Sequence, residues 1–158
     1  MAAFDYKQAQ EVRDAFANHG VRYLFIGKSG AILLGFPDTT QDADLFPEKS
    51  PANGEALVAA LLDLGFQIDP SQQDDIRRGK DFVQLKNGPF DLDLVFAPDG
   101  IERFTDAWDR RVQIDGFPVA HISDIIASKV AANRTKDRES LPRLKAFAQY
   151  LQQRQPPD

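Results

Sequence analysis

The chain has no cysteine, one methionine, one tryptophan and two histidines among its 158 residues. Without cysteine there can be no disulfide, no zinc–thiolate site and no thiol nucleophile. His19 and His121 are isolated, so each reads as a surface or capping histidine rather than a catalyst. No apolar run approaches the roughly 20 residues that a membrane-spanning helix needs. The start, Met1-Ala2-Ala3-Phe4-Asp5, lacks the basic opening and apolar core of a signal peptide, so the expectation is a cytoplasmic protein with no membrane partner. An excess of basic residues is also missing. Lys and Arg number 19 against 24 Asp and Glu, for a net charge of −5, so there is no global footprint for nucleic acid, although a local patch stays open. What remains is 42% hydrophobic and 27% charged, which argues against disorder, collagen and coiled coil. The length suits one domain, read as residues 1–153 with a frayed tail at 154–158.

Periodicity and turn residues lay out the elements. Helices are expected over Phe4–His19, Ser29–Leu34, Asn53–Leu64, Ile101–Trp108, Ser123–Ala132 and Ser140–Gln153. Strands are expected over Val21–Ile26, Asp42–Phe46 and Phe66–Ile68. Two hairpins follow, Phe82–Leu85 with Phe90–Phe96 around Asn87-Gly88, and Val112–Ile114 with Phe117–Val119 around Asp115-Gly116. Pro70–Gly79 is polar and reads as a loop or a short turn of helix. This order predicts an α/β domain, a short mixed sheet of about five strands with helices on one side.

The chemistry lies in Asp42-Ala43-Asp44, whose two carboxylates share one strand face. A second acidic strand, Phe90-Asp91-Leu92-Asp93-Leu94, can bring a third, and Asp91 and Asp93 also share a face, so either can join. Such a cluster is costly unless a cation neutralises it. Hard oxygen ligands without histidine or cysteine suit Mg²⁺ or Mn²⁺. Thr40 is placed to orient the first carboxylate. Upstream, Phe25-Ile26-Gly27-Lys28-Ser29-Gly30 is a glycine-bearing turn from strand to helix, where backbone amides can approach an anion. A metal beside such a turn outlines a triphosphate site. Gly27-Lys28-Ser29 looks like the end of a P-loop, but that motif needs glycine where Arg22 stands, so it is excluded. The plainer alternatives are an ordinary strand-to-helix turn and solvent-facing aspartates. Basic residues gather in the last third, from Lys129 to Lys145. Lys129 shares its helix with Ile125, Ile126 and Val130, and either snorkels to solvent or reaches the site.

From Gly27 to Leu45 the chain resembles the minimal nucleotidyltransferases of the DNA polymerase β superfamily, among them the stand-alone bacterial enzymes akin to abortive-infection toxins. That group's pattern is a glycine pair after a strand, a later glycine, an Arg-x-Thr, an Asp-x-Asp and a third aspartate on a later strand. Ile122-Ser123-Asp124, Lys129 and Arg134-Thr135-Lys136-Asp137 resemble that group's carboxy-terminal segment, so the likeness spans roughly Val21 to Leu144. It implies the nucleotidyltransferase fold and Mg²⁺- or Mn²⁺-dependent transfer of a nucleoside monophosphate from an NTP to an acceptor hydroxyl. The acceptor could be RNA such as tRNA, a protein or a small molecule, and a toxin–antitoxin setting would add an antitoxin partner.

The resemblance also implies roles. Asp42, Asp44 and Asp93 would be catalytic and hold metal, with Asp91 as a further or alternate ligand. The family spacing favours Asp93 as the third carboxylate. Gly27, Lys28, Ser29, Gly30, Thr40, Lys80 and Lys129 would contact the nucleotide. Two residues depart from the pattern. Lys28 stands where the family has glycine or serine, and Asp38 stands where it has the arginine of Arg-x-Thr. These departures support a second reading, a nucleotide-binding or regulatory interaction module without transfer activity. A magnesium-dependent nuclease fits less well, because the motif carries no histidine or lysine general base.

Overall fold

Every residue of β1 (Tyr23–Ile26) is buried, which requires cover on both faces of the sheet it joins. The computed structural model describes residues 4–154 and shows where that cover comes from. β1 lies in a six-stranded sheet of order β3–β4–β2–β1–β6–β5, with β2 (Asp42–Pro47), β3 (Phe82–Leu85), β4 (Asp91–Val95), β5 (Val112–Ile114) and β6 (Phe117–Val119). β1 is antiparallel to β2 and parallel to β6, and β2 is parallel to β4. The sheet is therefore mixed, as expected.

Helices cover both faces, not one. Tyr23, Phe25, Leu45, Leu92 and Leu94 pack on one side with α1 (Tyr6–Asn18), α3 (Pro51–Leu64) and α4 (Pro70–Arg78). Leu24, Ile26 and Phe46 pack on the other with α2 (Gly27–Leu33), α5 (Phe104–Asp109), α6 (Ile122–Ala132) and α7 (Thr135–Arg154). Alternation along β1 and β2 sends successive side chains to the two layers. Asp42 and Asp44 fall on the second face, the one Phe46 shares with α2, α5, α6 and α7.

Local chemistry explains where the elements differ from expectation. Pro70–Arg78 is a helix, because Asp69 and Gln72 form a reciprocal capping box, Pro70 sits in the first turn and Ile76 is fully buried. Phe66–Ile68 is not a strand. Its residues are anchored by side-chain burial, and Gln67 makes one backbone bond to Asn87. α6 begins at Ile122, one residue before the expected Ser123, because His121 caps it, its ring nitrogen accepting from the Ser123 amide at 3.1 Å. α7 begins at Thr135, five residues before Ser140, and runs through Pro142. The buried Leu144 and Phe147 offset the hydrogen bond that proline removes. Of the tail expected at 154–158, Arg154 closes α7 and the rest lies outside the described residues. Among the described residues no helix is long and apolar enough to cross a membrane.

Candidate active site

The parallel pairing of β2 and β4 sets Asp42 opposite Asp91 and Asp44 opposite Asp93. Carboxylate oxygens of Asp42, Asp44 and Asp93 lie within 4.8 Å of one another. Asp91, on the same strand face as Asp93, lies outside this group. The Thr40 hydroxyl donates toward the Asp42 carbonyl (3.1 Å) and approaches its carboxylate (3.4 Å). Thr40 is held in turn by the Phe4 amide, which donates to its carbonyl at 3.0 Å.

Three carboxylates so close repel one another. Burial, then the charges of Asp42 and Asp93, push the Asp44 carboxyl up to about 7, and Lys129 pulls the other way. Burial, then Asp42, push Asp93 up to about 6. The Oδ1 of Asp93 is buried and has no hydrogen-bond partner. An unpartnered buried carboxylate oxygen among three converging acids is costly in isolation and fits a cation. With only oxygen donors converging, the set suits a hard divalent ion of the Mg²⁺ or Mn²⁺ kind.

The glycine turn divides its tasks. Gly27 has φ +61°, and a Cβ there would press into the Asp44 carboxylate, 3.2 Å from its Cγ and nearer still to Oδ2. Gly30 lies so close to β1 that a Cβ would come within 2.8 Å of the Phe25 carbonyl oxygen. The Ser29 hydroxyl is buried. It donates to the Ile26 carbonyl and accepts from the Asp44 amide, both at 3.0 Å, which locks the start of α2 to β2 beside the carboxylate. Gly27→Ala should therefore destabilise the protein by about 2–3 kcal/mol in urea unfolding, as backbone strain and crowding add. Gly20→Ala is the control, with φ +69° and nothing within 4 Å of the added Cβ, and should cost only about 1 kcal/mol. Equal losses would show that Asp44 does not crowd the turn.

Lys129 and Lys80 part company. The Lys129 side chain is 14% exposed, lies 3.5 Å from Asp137 Oδ1, and is near enough to Asp44 to lower that carboxyl's pKa. Burial lowers the Lys129 pKa, against the pull of Asp137 and then Asp44. Lys80 sits beyond the far end of β3 and pairs loosely with Asp75 at 3.7 Å. It borders an open cavity with Lys49, Arg78 and Phe82. The neighbouring Asp81 carbonyl accepts from the Phe96 and Ala97 amides, three to four residues along the strand from Asp93, about 10–13 Å away. The structure does not bring Lys80 to the carboxylates.

Lys28 and Asp38, the two departures from the family pattern, pair with each other at 3.3 Å. Asp137 is a participant that the sequence reading did not single out. It is wholly buried and accepts from Arg134 Nε at 2.7 Å, Nη2 at 3.2 Å and the backbone amide at 3.1 Å. Burial pushes its carboxyl up, but the Arg134 bonds, and Lys129 after them, outweigh this and hold it below the usual carboxylate range. The signal was the three-residue spacing of Arg134, just before α7, and Asp137 in its first turn, where an acidic side chain reaches back to the amide that precedes the helix. Asp124 is likewise buried and takes two 2.9 Å bonds from Arg110, tying α6 to the end of α5.

No family model and no curated protein sequence matches the chain. Solved structures do. The lincosamide antibiotic adenylyltransferase LnuA, in a lincomycin-bound crystal structure, superposes with a TM-score of 0.66 at 15% identity, covering 91% of this chain and 98% of that one. A candidate nucleotidyltransferase of Thermotoga maritima superposes with a TM-score of 0.56 at 14% identity, covering 94% and 92%. The chain has the nucleotidyltransferase fold.

Proposed function

We propose that this chain is a divalent-metal-dependent nucleotidyltransferase that moves a nucleoside monophosphate from an NTP to a hydroxyl of a small acceptor. The observation that carries this reading is the convergence of Asp42, Asp44 and Asp93 on one face of a nucleotidyltransferase-like sheet, with an unpartnered oxygen on Asp93. Mg²⁺ or Mn²⁺ held by these three would neutralise triphosphate charge and lower the pKa of the attacking hydroxyl. The acceptor oxygen forms a bond to the α-phosphorus, the bond from the α-phosphorus to its bridging oxygen breaks, and pyrophosphate leaves. The acceptor proton would pass to a carboxylate, the role this reading gives to Asp93. Lys129, kept in place by Asp137, supplies positive charge beside Asp44 for the leaving group. Gly27 leaves room for the Asp44 carboxylate, and Ser29 and Gly30 hold the turn against β1 and β2.

A small acceptor suits a chain of net charge −5 better than RNA, whose binding draws on a broad basic surface. It also agrees with the antibiotic acted on by LnuA, whose structure resembles this one. The reading as an inactive module loses its main support, because Lys28 and Asp38 offset each other's charge. The test has two stages. Each of the four NTPs, with Mg²⁺ and then Mn²⁺, is titrated into the protein by calorimetry. Pyrophosphate release is then followed with a panel of hydroxylated small molecules and with tRNA. Binding of at least one metal–NTP complex, lost in Asp42→Asn/Asp44→Asn, is expected. Absence of binding by all of them overturns the reading.

A further inference from the structure

The pairing of Lys28 with Asp38 is itself informative. One carboxylate is shared by two cations: Lys28 Nζ lies 3.3 Å from Asp38 Oδ2, and Arg143 Nη1 lies 3.5 Å from the same oxygen. The three residues come from α2, from the segment leading into β2, and from α7. Arg143 is fastened to that segment independently. Its Nη2 donates to the Pro37 carbonyl at 3.0 Å, and its guanidinium lies 5.0 Å over the Phe36 ring. Lys28 has no other ion-pair partner among the described residues, and its side chain is 39% exposed. Asp38 is therefore shared by both cations, with Lys28 slightly the nearer, and of the two only Arg143 is also anchored to the Phe36–Pro37 segment.

Position makes this asymmetry useful. Lys28 follows Gly27, the residue pressed against the Asp44 carboxylate. Asp38 precedes Asp42 by four residues, with Thr40 between them on the Asp42 carboxylate. The ion pair thus joins the two segments that lead to Asp44 and to Asp42. Asp38 stays ionised throughout the neutral range, because the Thr39 amide, then Lys28 and Arg143, hold its carboxyl below the usual range. A metal-bound polyphosphate entering here meets a lysine already neutralised by an internal anion.

Building on the nucleotidyltransferase reading, we propose that Asp38 is a resident counter-ion which polyphosphate displaces from Lys28, with Arg143 retaining Asp38 after the exchange. Several phosphate oxygens can together make more charge-assisted bonds to an ammonium than a single carboxylate oxygen does. Arg143 means that Asp38 is never left unpaired, so the exchange is not opposed by an isolated charge.

Calorimetric titration with magnesium tripolyphosphate, and with an NTP analogue that cannot be cleaved between its α and β phosphates, tests the exchange. Lys28→Ala is expected to weaken both by roughly tenfold. Asp38→Asn is expected to tighten both by about three- to tenfold, because the competing anion is gone. A merely structural ion pair predicts the opposite for Asp38→Asn, unchanged or weaker binding together with lower thermal stability. Ligand-free urea unfolding of each variant establishes that it is folded. If wild type binds the analogue but Lys28→Ala binds it equally well, or Asp38→Asn fails to tighten, the exchange is overturned and the nucleotidyltransferase reading stands. If wild type binds neither ligand, the nucleotidyltransferase reading falls and the exchange with it.

Discussion

Metal-free Asp44→Asn protein is expected to be more stable than wild type at pH 8 and equally stable near pH 4. The Asp44 carboxyl is pushed to about 7 in the folded protein, against about 3.9 in an unfolded chain. Between those values the folded state keeps a proton that the unfolded state releases, so wild-type stability falls as pH rises. The contribution is whole below about pH 4 and gone above about pH 7. Asparagine carries no such proton, and its stability curve lacks this fall. Asp93, pushed to about 6, adds a loss of the same sign in both proteins. The difference should be on the order of 2 kcal/mol at pH 8, or about 4–8 °C in a domain of this size. Added Mg²⁺ or Mn²⁺ should reverse the ranking. A cation that binds only the folded state at a hundredfold excess over its dissociation constant stabilises wild type by about 2.7 kcal/mol, and the variant little. Urea unfolding from pH 4 to 9, with and without metal, checks both halves. A variant less stable than wild type at pH 8 without metal would mean that the cluster is not strained by its own charge.

Asp93→Asn should reduce nucleotidyl transfer roughly 10³-fold, and Asp91→Asn by no more than about tenfold. Both aspartates face the same way from β4, but the parallel register sets Asp93 opposite Asp44, and only Asp93 joins the group within 4.8 Å. Its Oδ1 is the oxygen left without a partner. The Asp93→Asn substitution keeps the side-chain shape and loses the charge that a cation needs, while Asp91→Asn changes a half-buried position beside the group. Initial rates at saturating NTP, with the KM for NTP measured separately, distinguish a lost catalytic group from weakened binding. An inactive Asp91 variant beside an active Asp93 variant would reverse the assignment.

Much of the fold was legible because its signals are local. The two hairpins came from Asn87-Gly88 and Asp115-Gly116, and Asp115 and Gly116 both take positive φ as such a turn requires. α3 ends at Gly65 in the left-handed conformation, as its sequence indicates. Where local signals compete, tertiary packing decided. The last helix was expected to start at Ser140, yet α7 begins at Thr135 and runs through Pro142, since Leu144 and Phe147 bury against Phe36 and the sheet. The polar run after Pro70 hid a helix whose one fully buried residue is Ile76.

By itself the sequence determined which carboxylates could act together. Period-two spacing puts Asp42 with Asp44, and Asp91 with Asp93, on common strand faces whatever the strands pair with. The absence of cysteine and the scarcity of histidine left oxygen as the donor. Only the tertiary structure decided which of these carboxylates meet. The parallel pairing of β2 with β4 is a contact between distant segments, and a shift of one residue would have turned every side chain of one strand to the other face. The same holds for the pairings of Lys28 with Asp38 and of Lys129 with Asp137. Each depends on α2, the segment before β2, α6 and α7 being packed on one face of the sheet, and the energy of that packing is spread over Leu24, Ile26, Ile125, Leu144 and Phe147 rather than written in any short motif.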